Sequence, residues 1–262
     1  MITQSLAEVP TFYRRGTPIE RTLYRIGSLL VASGLVHLVV FWIDGGPWEG
    51  PVSWRKPVTF GVSFGLTVVT IAWVTSFLAM SERWRTRLLG AFAASSVLEV
   101  GLITLQAWRR RPSHFDVETT VDSIISRVLA VGGVAIIAIL VAFTVVAFRP
   151  QEALPASLRL ALRAGFATLL ASMAFGALMI ARGVIEEATG SQQRAYVVGG
   201  TLKPAHAVTM HAVLVLPALA WLLTFSRWPE AVRVRIVQVA IGGYAVAAAV
   251  VIAWSFVGYV RG

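Results

Sequence analysis

Three ionisable side chains in this sequence lie within long apolar stretches, where titratable groups are rare. They are His37, Glu99 and His211. Burying such a group inside a membrane is costly, so an ionisable residue there commonly marks a site for an ion, a proton or a ligand. Imidazole and carboxyl groups can ligate a transition metal or transfer protons. The function of these residues therefore depends on the apolar segments that position them.

These segments are predicted to be membrane-spanning helices. Of the 262 residues, 56% are hydrophobic and 14% are charged, and the mean hydropathy is +0.73. Several nearly uncharged runs reach the roughly 20 residues that a bilayer requires. We expect an all-α polytopic membrane protein in which a polar N-terminal segment, 1–22, precedes a seven-helix transmembrane domain, 23–262. The predicted spans are about 23–43, 57–80, 86–108, 124–148, 158–181, 204–225 and 234–260.

The charged residues indicate an orientation and exclude some classes of protein. The net charge of +10 arises mainly from Arg at the predicted span ends, and no basic run is interleaved with aromatic residues as in nucleic-acid-binding proteins. The N-terminal side carries 13 Lys and Arg and the other side carries 10. The positive-inside rule therefore predicts a cytoplasmic N-terminus and an extracytoplasmic C-terminus. The strong preference for Arg over Lys is compatible with a GC-rich bacterial genome, so we expect a bacterial inner membrane. The chain has no cysteine, which excludes disulfides and thiolate sites.

Two pairs of spans share a sequence pattern. Span two begins with Lys56-Pro57 and contains Trp73, and span six begins with Lys203-Pro204 and contains Trp221. Spans one and five share an Arg-x-Gly element that ends in Gly27 and Gly165, respectively. Because both pairs are four spans apart, the pattern predicts a 3+1+3 chain with parallel repeats. Lys-Pro at one end and Trp at the other are also ordinary interfacial anchors.

The three ionisable residues are predicted to lie at a similar depth. With a rise of about 1.5 Å per residue, His37, Glu99 and His211 lie roughly 10, 13 and 12 Å below the outer ends of their spans. They belong to spans one, three and six, so we expect them to share an outward-opening pocket. His206 lies about 140° from His211 on a helix, so the two cannot both ligate one small ion. We expect His206 to support the metal site or to line its entry.

The leading hypothesis is that this pocket binds haem b or a transition metal for redox chemistry at the outer leaflet. His37 and His211 would be the ligands, and Glu99 would carry protons or act as a further ligand. Cations at the interface would hold anionic groups, and a glycine would let a macrocycle approach the helix. The residues expected to contact the bound group are Arg55, Lys56, Arg109, Trp54 and Gly34. A quinone, a lipid or a redox protein would be the partner at the outer face.

A small-molecule transporter or receptor is the second hypothesis. A 3+1+3 layout with parallel repeats is how sugar carriers of the SWEET type are built, and an intramembrane set of Glu and His can relay protons. A carrier also needs a site near the midplane that both faces can reach, whereas the polar residues here concentrate in the outer half. The choice between redox protein and carrier stays open at this point.

A third hypothesis comes from a short resemblance. The segment Ser33-Gly34-Leu35-Val36-His37 resembles the Ser-x3-His element of the seven-span zinc hydrolases that include alkaline ceramidases and progestin/adiponectin receptors. The resemblance implies a lipid hydrolase with zinc held by histidines, assisted by Ser33 and an acid such as Glu99. That family spaces its later histidines as His-x3-His, unlike His206 and His211. The segments 52–61 and 105–115 resemble parts of uncharacterised bacterial seven-span proteins, which implies no activity.

Overall fold

Seven long helices dominate the computed structural model, which describes residues 11–198 and 200–261. All seven are long and apolar enough to cross a membrane, and the described residues contain no strand. The all-α, seven-span prediction is therefore confirmed. The helices are α1 (Pro18–Asp44), α2 (Arg55–Ser76), α3 (Glu82–Trp108), α4 (Thr120–Phe148), α5 (Ala156–Ala188), α6 (Lys203–Leu223) and α7 (Glu230–Arg261), with a short helix (Gln192–Val198) between α5 and α6. Residues 1–10 of the predicted N-terminal segment lie outside the described residues.

The helix starts follow from local sequence chemistry. The hydroxyl of Thr17 accepts a hydrogen bond from the backbone N–H of Glu20, whose carboxylate accepts one from Thr17 N–H, and this capping box begins α1. Ser81 and Thr119 cap α3 and α4 in a similar way. We call the end of the bundle that contains Thr17 and Ser81 the N-terminal end, and the opposite end the 109–119 end.

Glycines bring α1 and α2 into backbone contact. A Cβ atom on Gly61 would lie 2.8 Å from Gly34 Cα, and one on Gly65 would lie 2.5 Å from Gly27 O. Only a residue without a side chain fits at such a crossing, which is the usual way that membrane helices pack closely. Gly34 therefore serves this helix pair, rather than making room for a macrocycle as the haem hypothesis expected.

The same packing pattern occurs in the second part of the chain. A Cβ atom on Gly165 of α5 would lie 2.9 Å from Val213 Cα of α6. In α1–α3 and in α5–α7 the first two helices form the most extensive contact, and the third helix packs against both. We call α1–α3 and α5–α7 the two triplets. Helix α4 contacts α3 and α5 and so links the triplets, and α2 and α6 meet at the boundary between them.

A buried ion pair joins the first three helices at the N-terminal end. Arg85 of α3 lies 3.4 Å from the carboxylate of Glu20 on α1, and both side chains are at least 90% buried. The guanidinium group also donates hydrogen bonds to the carbonyl oxygens of Thr75 and Leu78, which end α2. Loss of either partner would leave the other charge buried without compensation. This ion pair therefore constrains the relative position of the three helices.

Apolar side chains cover the outside of the bundle. Ile43, Val131 and Val239 are 82%, 70% and 75% exposed. An exterior of this kind is stable when lipid rather than water surrounds it, which is consistent with the lengths of the seven helices.

Candidate functional site

Both ring nitrogens of His37 already have partners. The side chain is 7% exposed, and Nδ1 lies 2.7 Å from the backbone oxygen of Ser33. A carbonyl oxygen only accepts, so Nδ1 carries the proton. Nε2 then accepts a hydrogen bond of 3.1 Å from the indole N–H of Trp108 on α3. His37 is thus a neutral ring that ties α1 to α3, and it has no nitrogen left to ligate a metal.

An aromatic and charged cluster surrounds this histidine at the 109–119 end. The indole N–H of Trp54 donates a 2.6 Å hydrogen bond to Asp44. Arg110 donates to both oxygens of the same carboxylate at 2.7 Å and lies 5.1 Å above the Trp54 ring. An arginine that binds both oxygens of a carboxylate and stacks on an aromatic ring makes strong interactions with a specific geometry. Trp54 therefore fastens the end of α1 to residues 109–119, a structural role that the cofactor hypothesis did not include.

Ser33 does not form a catalytic pair with His37. The bond from the His37 ring reaches the backbone oxygen of Ser33, so the imidazole does not take a proton from the hydroxyl group. No group of three His, Cys, Asp or Glu side chains that could hold a metal ion occurs in the described ranges 11–198 and 200–261. The residues present do not fit a bis-histidine haem, because His37 would first have to give up Trp108.

Glu99 is a buried carboxyl group in the contact between α3 and α4. Its side chain is 5% exposed, and Oε1 would lie 2.7 Å from a Cβ atom on Gly132. Glu99 forms no ion pair or side-chain hydrogen bond with the residues that the structure describes. An unpaired carboxylate is very unfavourable in hydrocarbon, so Glu99 is stable there as the neutral acid.

His206 and His211 have separate surroundings, as their positions on the helix predicted. The Nδ1 atom of His206 lies 2.8 Å from the backbone oxygen of Ser172 on α5, and the Ser172 hydroxyl donates to the backbone oxygen of His206 at 2.8 Å. This exchange joins α5 to α6. The His211 ring is exposed and bonds to Ala207 O within its own helix at 2.6 Å.

The predicted three-residue pocket thus divides into three helix contacts. His37 contacts α3, Glu99 contacts α4, and His211 lies beside α2. The contact between His211 and α2 lies at the boundary between the two triplets. Here Ser63, Thr67 and Thr70 of α2 face His211 and Met210 of α6 across a small groove. The groove has a volume of about 20 Å³, and the three hydroxyl-bearing side chains share its lining with apolar Leu66, Val213 and Leu214.

Aromatic rings close the boundary at the N-terminal end. Trp73 of α2 and Trp221 of α6 meet with ring centroids 6.0 Å apart. Phe12 packs on both, at 6.1 and 5.5 Å, and Phe77 and Phe225 extend the cluster. Edge-to-face pairs at these distances are favourable beyond the area they bury. We call the space between α2 and α6, which includes the groove, the crevice. The aromatic cluster therefore closes the crevice at the N-terminal end.

A loop segment closes the same boundary at the 109–119 end. We call Ser113, His114, Phe115 and Asp116 the plug. Phe115 has a φ of 60°, a rare conformation for a bulky residue, and its ring fills the space next to Gly183 of α5, where a Cβ atom would lie 2.2 Å from Cζ. The His114 ring packs on Phe60 of α2, with 6.3 Å between centroids. The plug therefore contacts both triplets.

The ends of the plug are fixed by a buried polar network. Asp122 of α4 is fully buried and accepts hydrogen bonds from Gln106 at 2.9 Å, from Arg109 at 2.5 Å and from Thr119 at 2.6 Å. Asp116 N–H donates to the hydroxyl of Ser126 on α4 at 3.2 Å. Arg109 thus neutralises a buried carboxylate, whereas the cofactor hypothesis had assigned it to an anionic ligand.

Cations gather beside the plug. Lys56 donates a 3.2 Å hydrogen bond to the Ser113 hydroxyl, which lies 2.9 Å from His114 Nδ1. Burial and the charges of Lys56 and Lys203 hold the pKa of His114 well below its usual value. His114 is therefore neutral at physiological pH. Lys56 and Lys203 begin the two helices that form the crevice, so the cations lie at its mouth.

Sequence reasoning missed the plug and the aromatic seal as parts of a site. The repeat pattern held the signal for both, because it paired Lys56 with Lys203 and Trp73 with Trp221. Trp73 and Trp221 are in contact at one end of the α2–α6 boundary, and at the other end Lys56 and Lys203 lie close enough to repel each other. Comparisons of the chain with protein-family models, with curated proteins and with solved structures gave no match.

Proposed function

We propose that the protein is a membrane carrier for a small solute, in which α1–α3 and α5–α7 move against each other. The observation that carries this proposal is the crevice between α2 and α6, which three hydroxyl groups of α2 line in part at mid-depth and which is closed at both ends. Carriers built from repeats bind their solute at the interface of the repeats and expose it to one side at a time. A crevice closed at both ends corresponds to the occluded step of that cycle.

The repeated helix packing supports two halves that behave as units. Gly27 and Gly165 occupy matching places in α1 and α5 and press against α2 and α6, respectively. Close backbone contact makes each pair rigid, whereas α2 and α6 meet through side chains. Motion is therefore expected at the α2–α6 boundary rather than within either triplet.

The two closures differ in kind, which allows them to open separately. The N-terminal end is sealed by stacked rings on α2 and α6, centred on Trp73 and Trp221. The other end is sealed by the plug, whose Phe115 rests on Gly183 of α5. Opening one seal does not require breaking the contacts of the other, as alternating access demands.

Glu99 supports coupling of such transport to protons. A lone carboxyl group without further oxygen ligands is a poor site for Na⁺ or Ca²⁺, which need several oxygens. It can still gain or lose one proton when water reaches it. A proton carrier at the α3–α4 contact therefore belongs to the proposal, and it keeps the role that the sequence suggested for Glu99.

We place the carrier in a bacterial inner membrane with its N-terminal end in the cytoplasm. This orientation rests on the excess of Lys and Arg on that side, 13 against 10. The plug and the cations beside it would then face the outside. A redox or hydrolytic role has less support, because both nitrogens of His37 are engaged and the Ser33 hydroxyl is not activated.

The absence of cysteine from the sequence allows a direct test. Ser63→Cys places one thiol on the α2 side of the crevice, and Val239→Cys places one on the outer surface of α7 as a control. Each variant is reconstituted in liposomes and treated with a membrane-impermeant methanethiosulfonate from one side at a time. The proposal expects Ser63→Cys to react from both sides and Val239→Cys from neither. Reaction of Ser63→Cys from neither side or from one side only would refute it.

A further inference from the structure

Three cations at the mouth of the crevice have little negative charge around them. Arg55 and Lys56 begin α2 and Lys203 begins α6. The charged groups close enough to influence Lys56 are Lys203 and Arg55, both of which repel it. Glu49 approaches Arg55 to 3.2 Å and also attracts Lys203, but its side chain is 76% exposed. Solvent screens an exposed ion pair of this kind, so it compensates the cluster weakly.

The neighbouring arginines show what complete pairing looks like in this protein. Arg109, Arg110 and Arg111 each contact at least one carboxylate, from Asp122, Asp44 or Glu118. Lys56 instead donates to a neutral hydroxyl, whereas Arg55 has the exposed carboxylate of Glu49 3.2 Å from its Nε. Among the described residues, Lys56 therefore forms no ion pair with a carboxylate and retains donors for a further acceptor.

The N-termini of α2 and α6 add to the excess of positive charge at this site. The N-terminus of an α-helix carries a partial positive charge, which favours anions and disfavours cations in the first turn. Lys56 and Lys203 both occupy such first turns. His114, the plug residue on which the charges of both lysines act, stays neutral and contributes no charge of either sign. An anion bound here would interact favourably with two lysines, one arginine and two helix starts.

We propose that Arg55, Lys56 and Lys203 bind a phosphate or carboxylate group at the mouth of the α2–α6 crevice, and that the carried solute is therefore an anion. The solute assignment rests on the carrier proposal, whereas the binding site does not. The same group can come from a free anion or from the headgroup of an anionic lipid. The position between the two triplets favours the free anion, because a ligand there contacts both halves.

Thermal unfolding of the purified protein in detergent tests the site, with tryptophan fluorescence as the readout. Phosphate and citrate are added as probes and compared with chloride at equal ionic strength. We expect both to raise Tm, and we expect Lys56→Gln and Lys203→Gln to weaken the apparent affinity at least about tenfold. Lys56→Arg should keep binding. Arg227→Gln, which removes an exposed cation at the N-terminal end, should behave like the wild type.

The Tm measured without added anion distinguishes anion binding by the lysines from a structural role of their side chains. Since the cations repel each other, Lys203→Gln should raise Tm in anion-free buffer, whereas loss of a structural contact would lower it. Equal Tm in phosphate, citrate and chloride, or an undiminished shift in both lysine variants, would overturn the site. The same titration in nanodiscs compares phosphatidylglycerol with phosphatidylcholine. A shift with phosphatidylglycerol and none with free anions would overturn the solute assignment.

The two proposals fail in different ways. If the carrier proposal is wrong, Ser63→Cys does not react from both sides, while the anion-dependent Tm shift and its loss in the lysine variants persist. If the anion site is wrong, the Tm shift is absent and Ser63→Cys still reacts from both sides.

Discussion

Substitution of Gly183 should open the plug. Any side chain at this position meets the Phe115 ring, since the Cβ atom of Gly183→Ala would lie 2.2 Å from Cζ and 2.7 Å from both Cε atoms. The ring has to move as a whole, because three of its atoms are too close. Overpacking of this kind costs about 1–3 kcal/mol. If that cost falls on the closed plug, the open population rises about five- to 150-fold, since about 1.4 kcal/mol is tenfold.

The labelling rate of a buried thiol measures this population. Ser113 is 1% exposed, so Ser113→Cys reacts with a maleimide only when the plug opens. We expect Gly183→Ala to increase this rate by the factor above. Gly133→Ala is the matched control, because a Cβ atom there meets nothing within 4 Å, and it should leave the rate unchanged. An unchanged or slower rate with Gly183→Ala would refute the assignment of Phe115 as the closing contact.

Three further predictions concern titratable groups. The pKa of His114 is about 3 in the folded protein against 6.5 for the free side chain. The unfolded chain therefore binds the proton first, so stability falls as the pH drops below about 6.5, by up to about 2 kcal/mol at pH 5. His114→Gln should show a smaller fall in Tm between pH 7.5 and pH 5, and an identical fall would contradict the burial of a neutral ring. A hydrophobic carbodiimide, which attacks protonated carboxyl groups, should modify Glu99 but not the paired Glu20, as measured by mass spectrometry. Modification of Glu20 instead would contradict both assignments. Arg85→Ala should lower the free energy of unfolding by about 3–5 kcal/mol, because it leaves Glu20 buried without a partner. The exposed Arg83→Ala should change it by less than about 0.5 kcal/mol, and equal effects would show that the ion pair is unimportant.

The fold was largely predictable because length and hydropathy decide which segments can cross a bilayer. The boundaries were less so, since they depend on local hydrogen bonds. Helix α1 begins at Pro18, five residues before the predicted span, because the Thr17 capping box lies ahead of the apolar run. Helix α5 continues to Ala188, beyond the predicted 181, because Glu186 and Glu187 remain helical past the apolar stretch.

The direction in which the candidate site residues face could not be predicted. Rise per residue predicted one layer for His37, Glu99 and His211, which stays a prediction, and the helix wheel separated His206 from His211, whose surroundings differ in the structure. The direction in which each residue faces depends on how the helices pack, and sequence spacing does not contain that information. The Gly34–Gly61 contact, for example, fixes the rotation of α1 that leaves His37 facing Trp108.

The repeat pattern was more informative than the individual polar residues. It predicted equivalent places for Lys56 and Lys203 and for Trp73 and Trp221, and these pairs lie at the two ends of the crevice. The plug could not be inferred in the same way. Its closure depends on the positive φ of Phe115 and on the space beside Gly183, neither of which a local pattern encodes.

Distances between spin labels at the two ends of the crevice test alternating access most directly. One pair, Arg83→Cys with Arg227→Cys, spans the N-terminal end, and the other, Pro47→Cys with Ala188→Cys, spans the 109–119 end. We predict that Trp221→Ala, which weakens the aromatic seal, lengthens the first distance alone, and that Gly183→Ala lengthens the second alone. If both distances lengthen together in either variant, or if neither changes, the two triplets do not act as the halves of a carrier.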